Sequence, residues 1–537
     1  MMPMKRVILC SLFCLIGIIS FAGTERVYVQ TDRSVYLSGD RIWCSLFCVD
    51  EAGRLSTQSA VAYLELLSTD GSAAQAKIGL LGGRGAGEFT IPANTPTGNY
   101  RLAAYTSLEG GEASETGSRL LSVYNPWSLA RVKDGVLPES QPQTVRQDDS
   151  QDGVLLQLPD VVRQGDRFKL SLGGPAADLS VSVYHEDALA QLTGGTLRDF
   201  LQQFPVSPEP GGELEFDGET VRGSVQNASG SGLAILSTSG STDDLYVCSF
   251  GEDFELRFDT GNIYGNPELV CEMLNAGDNI RIRLEDSFQH PSAGDVPALH
   301  LHESLYDDLV LAKRSLAGLC PTDTLVRFLP RREDQLFHAD DMERIHLDDY
   351  TRFPSVKEIV VEILPMVRIK THYGKKQLEL AISDGAGTRV EFMDHILVMM
   401  DGVVIPDFDL LLALDAMLLE DIYITYERIV VGPTFFNGAI NFVSKKNYVT
   451  ALDFPSNVCV IDFKGVSYPV AYLGEVSSAE EDFRQLLYWH PSLLLDGSED
   501  AGIELKAPAY PGRFCVVAEG LTPSGEPVRA VAHFEVQ

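Results

Sequence analysis

Ten histidines, nine cysteines and 76 acidic side chains are the groups in this 537-residue chain that could ligate a metal or move a proton. His300-Leu-His302-Glu303 places two imidazoles on one face of an extended segment, and His338, Asp340, Asp341 and His346 could add further ligands. A zinc or iron centre needs a third ligand at a defined spacing and an outer shell of hydrogen bonds, and no spacing here fixes either. His185-Glu186 is followed by Leu189 where a zinc-protease helix would carry its second histidine. The run Gly82-Gly-Arg-Gly-Ala-Gly87 lacks the Gly-Lys-Ser/Thr ending of a phosphate loop and opens no helical pattern, so it reads as a flexible hairpin loop. Gly-x-Ser-x-Gly, His-Glu-x-x-His, Cys-x-x-Cys and Walker A motifs are absent from the sequence. The expectation is no catalytic residue, no metal, no cofactor, and hence no enzyme.

The elements that would position any site are strands. Gly 47 and Pro 27 supply turns in number, and 45% hydrophobic residues suffice for several cores. Lys5-Arg6, the apolar run Val7 to Phe21 and the small residues around Ala22 read as a signal peptide over residues 1–22. That run is shorter than the ~20 residues of a spanning helix, and no later stretch is long and apolar enough, so no transmembrane segment is expected in the mature chain. A formal net charge of −34 opposes binding to nucleic acid and to anionic membranes. Beyond the leader the cysteines are Cys44, Cys48, Cys248, Cys271, Cys320, Cys459 and Cys515, an odd and scattered set that reads as buried free thiols.

Residues 24–125 read as one β-sandwich. Arg26-Val-Tyr-Val-Gln30 alternates, a tight turn falls at Ser38-Gly39-Asp40, and Ile42, Cys44, Leu46 and Cys48 share one strand face. Gly87-Glu-Phe89-Thr-Ile91-Pro92 and Tyr100-Arg-Leu102-Ala-Ala-Tyr105-Thr106 form a later strand-turn-strand. The opening Gln30-Thr-Asp32-Arg33-Ser-Val-Tyr36-Leu-Ser-Gly39-Asp40 and this closing strand resemble the MG2 domain of the α2-macroglobulin family. That resemblance brings in protease traps, but the Cys-Gly-Glu-Gln thioester of such traps does not occur here.

Residues 131–153 read as a polar linker. Over 154–215 a second β-sandwich unit is expected from Val162-Arg-Gln-Gly165-Asp166-Arg-Phe168 and the alternation Leu179-Ser-Val181-Ser-Val183-Tyr184. Over 216–295, Val221-Arg-Gly223-Ser-Val225, Leu233-Ala-Ile235-Leu236, Tyr246-Val-Cys248-Ser-Phe250 and Phe254-Glu-Leu256-Arg-Phe258 resemble the carboxypeptidase-regulatory-like sandwiches of Bacteroidota envelope proteins. Residues 296–355 are a connecting segment with a helix, the apolar positions 356, 359, 360 and 363 following the helical period. Residues 451–537 read as a C-terminal β-sandwich, with Trp489-His490-Pro491 as a core anchor or a contact.

Residues 356–448 hold the most distinctive run. His395-Ile-Leu-Val-Met-Met-Asp401-Gly402-Val-Val-Ile-Pro406 is two short strands about an Asp-Gly turn. A helix follows over Leu410–Leu419, then Leu419-Glu-Asp-Ile422-Tyr-Ile424 and Phe436-Asn437-Gly438-Ala-Ile440-Asn-Phe442-Val-Ser-Lys445-Lys446. Their order resembles the plug domain of TonB-dependent outer-membrane receptors, and Asp401-Gly402 and Asn437-Gly438 read as its turn residues. A 22-strand barrel at ~10 residues a strand needs more than twice the chain that remains after residue 450. The plug is therefore expected without its barrel.

The fold class expected is mainly β and multidomain: tandem macroglobulin- or immunoglobulin-like sandwiches plus a small α+β plug-like domain. The function expected is a non-enzymatic interaction scaffold, periplasmic or on the outer-membrane surface. Its partner would be a protein, with an outer-membrane β-barrel the one a plug resemblance implies. The alternatives are a macroglobulin-like endopeptidase inhibitor and an accessory binding protein of a SusC/SusD-type uptake system.

Overall fold

The computed structural model describes residues 24–109, 117–127, 149–187, 189–190, 192, 194–203, 212–241, 244–274, 279–299, 313, 315, 325–328, 337, 342–383, 390–449, 452–474 and 482–537. The expected signal peptide and most of the connecting segment 296–355 lie outside them, as do His300, His302, His338, Asp340, Asp341 and Cys320. The described chain is mainly β and multidomain.

The first sandwich follows one hydrogen-bonded path: Glu25–Thr31, Arg41–Asp50, Arg84–Thr90, Gly71–Leu81, Val61–Ser68, Gly98–Tyr105, Arg119–Tyr124, Val35–Leu37. Period-two alternation sends Val27, Val29, Ile42, Cys44, Leu46 and Cys48 into one core with Leu64, Leu66 and Leu102. The Ser38-Gly39-Asp40 turn is closed by the Asp40 N–H on the Leu37 carbonyl at 2.9 Å. The glycine run is not a flexible loop. Only Gly82-Gly83 turns, and Gly87 lies in a strand where a Cβ would come within 2.2 Å of the Ile78 side chain. Glycine is needed there for close packing of the two sheets rather than for mobility.

The expected division into a second sandwich at 154–215 and a separate one at 451–537 is corrected by the strand pairing. Ala177–His185 is flanked by Gly512–Leu521 on one side and Leu486–Leu495 on the other, both antiparallel. Arg167–Gly173 pairs with Ala501–Lys506. The two stretches therefore build one sandwich around one core, in which Leu170, Leu179, Val183, Val516, Phe514 and Phe534 pack together. Alternation identifies a strand and its buried face but not its partner, so neither half shows in sequence that it is incomplete. The expected linker is shortened too, since Ser150–Asp152 pairs with Arg529–Val531.

The third sandwich repeats this arrangement. A sheet of Glu255–Gly261, Glu219–Gln226 and Arg281–Leu284 faces one of Leu245–Phe250, Gly232–Thr238, Glu268–Met273 and Cys459–Asp462. Its last strand comes from the segment expected to belong to the C-terminal sandwich. The chain is thus nested: the third sandwich is inserted into the second, and the unit at 343–449 into the third.

That inner unit has a five-stranded sheet in the order Glu343–His346, Leu419–Val431, Thr434–Ser444, Leu397–Met400, Val403–Val404. Leu397–Met400 runs parallel to Thr434–Ser444, while Leu419–Val431 and Thr434–Ser444 are an antiparallel hairpin. A three-stranded sheet, Val367–His372, Lys375–Ser383 and Val390–Met393, lies beside it. The helix falls at Val356–Glu362, with the Ser355 side chain accepting from the Glu358 N–H as an N-cap. The second helix is shorter than expected, Phe408–Ala413, followed by a 3-10 turn at Ala416–Leu418. Asp401 and Gly402, at φ 51° and 81°, make the tight turn that sequence indicates. Asn437-Gly438 does not: the hairpin turns at Gly432-Pro433, and Gly438 sits inside a strand at φ 102° beside a register shift. It is a bulge residue, where a Cβ would meet the Thr425 carbonyl oxygen at 2.7 Å.

The single discontinuous core makes a prediction. Phe534 packs its ring 5.4 Å from Phe514 and 5.0 Å from Phe168. Phe534→Ala should cost about 3–5 kcal/mol in denaturant unfolding. Hydrogen exchange should show the loss at residues 167–185 as much as at 512–536; protection kept at 167–185 would contradict one shared core.

Candidate functional site

The Thr31-Asp32-Arg33 opening is a structural clamp. Its aspartate is fully buried and accepts from the Trp43 N–H at 2.9 Å and the Tyr36 hydroxyl at 2.8 Å, while Arg33 Nη1 lies 2.8 Å from its other oxygen. Burial raises the Asp32 carboxyl, and Arg33 and these donors pull against that rise. Arg33 also reaches Asp40 at 3.1 Å, so the motif fastens the first turn to two strands.

Where the first and second sandwiches meet, a solvent-open cleft of about 930 Å³ is lined by Arg33, Arg119, Arg529, Thr31, Ser182 and Thr196, among others. Glu519, buried at its edge, accepts from the Tyr28 hydroxyl at 2.8 Å and the Leu197 N–H at 2.8 Å. Arg119 and Arg529 stand 3.8 and 3.6 Å from the same carboxylate. Beyond the cleft, Arg84 stacks on Phe47 at 3.5 Å and bonds Asp178 at 3.0 Å and the Pro491 carbonyl at 2.5 Å. Trp489 is buried against Trp43 and Leu486, so the Trp489-His490-Pro491 cluster is a contact between sandwiches as well as an anchor. The farthest of these partners were not legible in sequence, since Tyr28–Glu519, Leu197–Glu519 and Arg84–Pro491 join residues 491, 322 and 407 positions apart.

The joint between the first and third sandwiches concentrates charge. Lys77 is ion-paired to Glu219, both buried, and its ammonium lies 4.2 Å from the Phe463 ring centroid. The Ser287 hydroxyl donates to Glu219 at 2.7 Å. Glu215 accepts from the Tyr63 hydroxyl at 3.0 Å and the Thr220 N–H at 3.0 Å. Burial raises the Glu215 carboxyl to about 7, against the pull of the Thr220 N–H. Glu65 accepts from the Tyr105 hydroxyl at 2.6 Å and holds the His290 backbone N–H at 3.0 Å.

In the inner unit, His346 is not drawn into a metal cluster among the described residues: its Nδ1 lies 2.8 Å from Asp421, which Arg344 also bonds at 3.0 Å. Asp401 is buried and accepts from the Ser444 N–H at 2.7 Å and hydroxyl at 2.6 Å, so it holds the turn to the neighbouring strand. Among the described residues, the unit's outward apolar groups are Tyr373 at a hairpin tip, 95% exposed, with Tyr350, Val361, Met417, Val430 and Phe435. Arg428 lies over the Phe435 ring at 4.7 Å. Cys44, Cys48, Cys248, Cys271 and Cys515 are buried free thiols and Cys459 is half-buried and free. Burial raises the Cys44, Cys48 and Cys271 thiols far above their ordinary value, which keeps them unreactive.

Two outcomes are expected at the charged joint. Lys77→Met strands Glu219 without its cation and should destabilise the chain by about 3–5 kcal/mol in denaturant titration. Glu215 keeps its proton in the folded chain to higher pH than in the unfolded one. Its contribution is therefore complete below the ordinary glutamate value of 4.5 and lost as pH rises through about 7. Wild-type stability should fall by about 3 kcal/mol over that window relative to Glu215→Gln; parallel pH profiles would contradict it.

Residues 26–119 match the MG2 domain family. No curated protein matches the chain. Among solved structures it is similar to the Salmonella alpha-2-macroglobulin reacted with methylamine, at 10% identity over 95% of this chain and 39% of that one, with a TM-score of 0.25. It is similar at 10% identity to trypsin-activated alpha-2-macroglobulin from Escherichia coli, over 96% of this chain and 42% of that one, again at 0.25. Dimeric latent PorU from Porphyromonas gingivalis matches at 12% identity over 49% of this chain and 33% of that one, with a TM-score of 0.16. The chain spans about two-fifths of the length of the two macroglobulins. The first sandwich, residues 26–119, is thus an MG2-like domain, the macroglobulin-type module of this chain.

Proposed function

We propose that the chain is a non-enzymatic interaction scaffold of the periplasm or outer-membrane surface, in which the plug-like unit meets the partner. A separate outer-membrane β-barrel is the partner that the plug resemblance implies. The observation that carries this reading is the mounting of the unit. Its chain enters and leaves through the third sandwich, which leaves Tyr373, Val361 and Met417 turned to solvent. Among the described residues no helix is long and apolar enough to cross a membrane, so membrane association would rest on such a partner. The MG2 match supports an extracytoplasmic address, where such domains are typically found.

Pull-down of the full chain from an envelope extract should recover a barrel protein. The double variant Tyr373→Ser, Val361→Glu should lower that recovery at least tenfold, and recovery of no barrel removes the docking idea. The MG2 match also favours a second reading, a macroglobulin-like endopeptidase inhibitor. Incubation with serine, cysteine and metallo-endopeptidases separates the two: a scaffold leaves all of them fully active on a protein substrate.

A further inference from the structure

Glu272 lies at the joint between the third sandwich and the plug-like unit. It sits on the strand Glu268–Met273, whose alternate residues Leu269, Cys271 and Met273 enter the sandwich core. Its own face is the other one. There Val270 belongs to the apolar core of the plug-like unit, and Leu274 packs against the cluster of Leu397, Met399 and Ala439 from that unit. Directly opposite on the neighbouring strand is Ile235, of the same cluster. A carboxyl group thus stands in an apolar interface, 3% exposed, and among the described residues neither of its oxygens has a hydrogen-bond partner.

Among the described residues no charged group reaches it. Gly232–Thr238 and Leu397–Met400 carry no titratable side chain. Glu268 and Asp462 face each other across the strand pair, toward its far end. Asp401 is occupied by Ser444, and Asp421 by Arg344 and His346. On the strand Leu419–Val431, Tyr426 donates to Glu343 and Arg428 covers Phe435. Burial alone raises the Glu272 carboxyl, with no neighbouring charge adding to it or opposing it. An ionised carboxylate here would have neither water nor a cation, whereas the neutral acid keeps the interface closed at far lower cost.

We propose that Glu272 is a proton-operated latch: the plug-like unit stays docked on the third sandwich while this carboxyl is protonated, and is released when it ionises. The Val404 N–H on Ser237 at 3.3 Å, the Gly240 N–H on the Asp401 carbonyl at 2.8 Å and the Asn447 side-chain amide on the Ser239 hydroxyl at 2.8 Å are polar contacts that would open with it. One proton is coupled to one separation, so the ratio of separated to docked chains rises up to tenfold per pH unit above the ordinary glutamate range. The latch operates whatever the plug-like unit binds, so it stands or falls separately from capture of a barrel.

Hydrogen–deuterium exchange on the full chain tests it, between pH 5.5 and 8.5 with intrinsic rates corrected. A Glu215→Gln background silences the other titrating joint. Protection of the Gly240 and Val404 amides, which bond across the joint, should fall with pH, approaching tenfold per unit, and Glu272→Gln should abolish that dependence. A flat profile in the parent, or an unchanged slope in Glu272→Gln, overturns the proposal. Should Glu272→Gln fail to fold, Glu272→Met, which fills the apolar joint without a titrating group, takes its place, and a pH slope that persists in it overturns the proposal.

Discussion

The backbone hydrogen bonds that Ala177–His185 makes with two strands from the far end of the chain are the constraint on which the architecture depends. Leu179 sits opposite Gly520, and Val183 opposite Val516, so the strand is central in its sheet and both its neighbours arrive more than 300 residues later. Once these pairs form, everything between them becomes an insertion with its ends held together. The third sandwich imposes the same condition at smaller scale, closing over the inner unit when Cys459–Asp462 docks beside Glu268–Met273.

The sandwiches meet through buried charge and aromatic surface as well as through aliphatic contacts such as Leu521 with Val49 and Val61 with Val466. Arg84 joins Phe47, Asp178 and Pro491; Lys77 joins Glu219 and Phe463; Glu519 gathers Tyr28, Leu197, Arg119 and Arg529. Each such pair loses its water on burial, and Coulomb attraction offsets that loss only where geometry is good and other donors complete the shell. The reward is a fixed register between neighbouring domains, because a misplaced joint leaves an unpaired charge. Glu272 departs from this pattern: it carries the same chemistry into an interface that provides no counterpart.

Much of the local structure was legible. The alternation of Ile42, Cys44, Leu46 and Cys48 gave the buried face of the first sandwich, and Asp401-Gly402 gave the turn, because both depend on neighbouring residues alone. Partner choice was not legible. Nothing in Leu179-Ser-Val181-Ser-Val183 says that its neighbours lie after residue 485, since hydrophobic pattern fixes a face and leaves the pairing open. Asn437-Gly438 misled because the dipeptide that favours a turn also suits a bulge. Glu215, Glu219 and Glu272 were hidden among 76 acidic side chains; a buried carboxylate has no signature that separates it from a solvated one. The histidine candidates were attractive only by proximity in sequence, and the one that is described, His346, is occupied by Asp421.

Nesting also sets a timetable. As the chain emerges from its amino end, the MG2 sandwich can close with its own strands, but Ala177–His185 must wait with both edges open until residues 486–521 appear. An unpaired central strand is a template for the wrong neighbour, and closing a loop of this size is slow. The inner units therefore have the earliest opportunity to fold, and the outer sandwich completes last around them. A chain cut short just before residue 486 would keep several finished domains and yet carry one exposed, half-made sheet, which is the kind of surface that quality-control proteases and chaperones recognise.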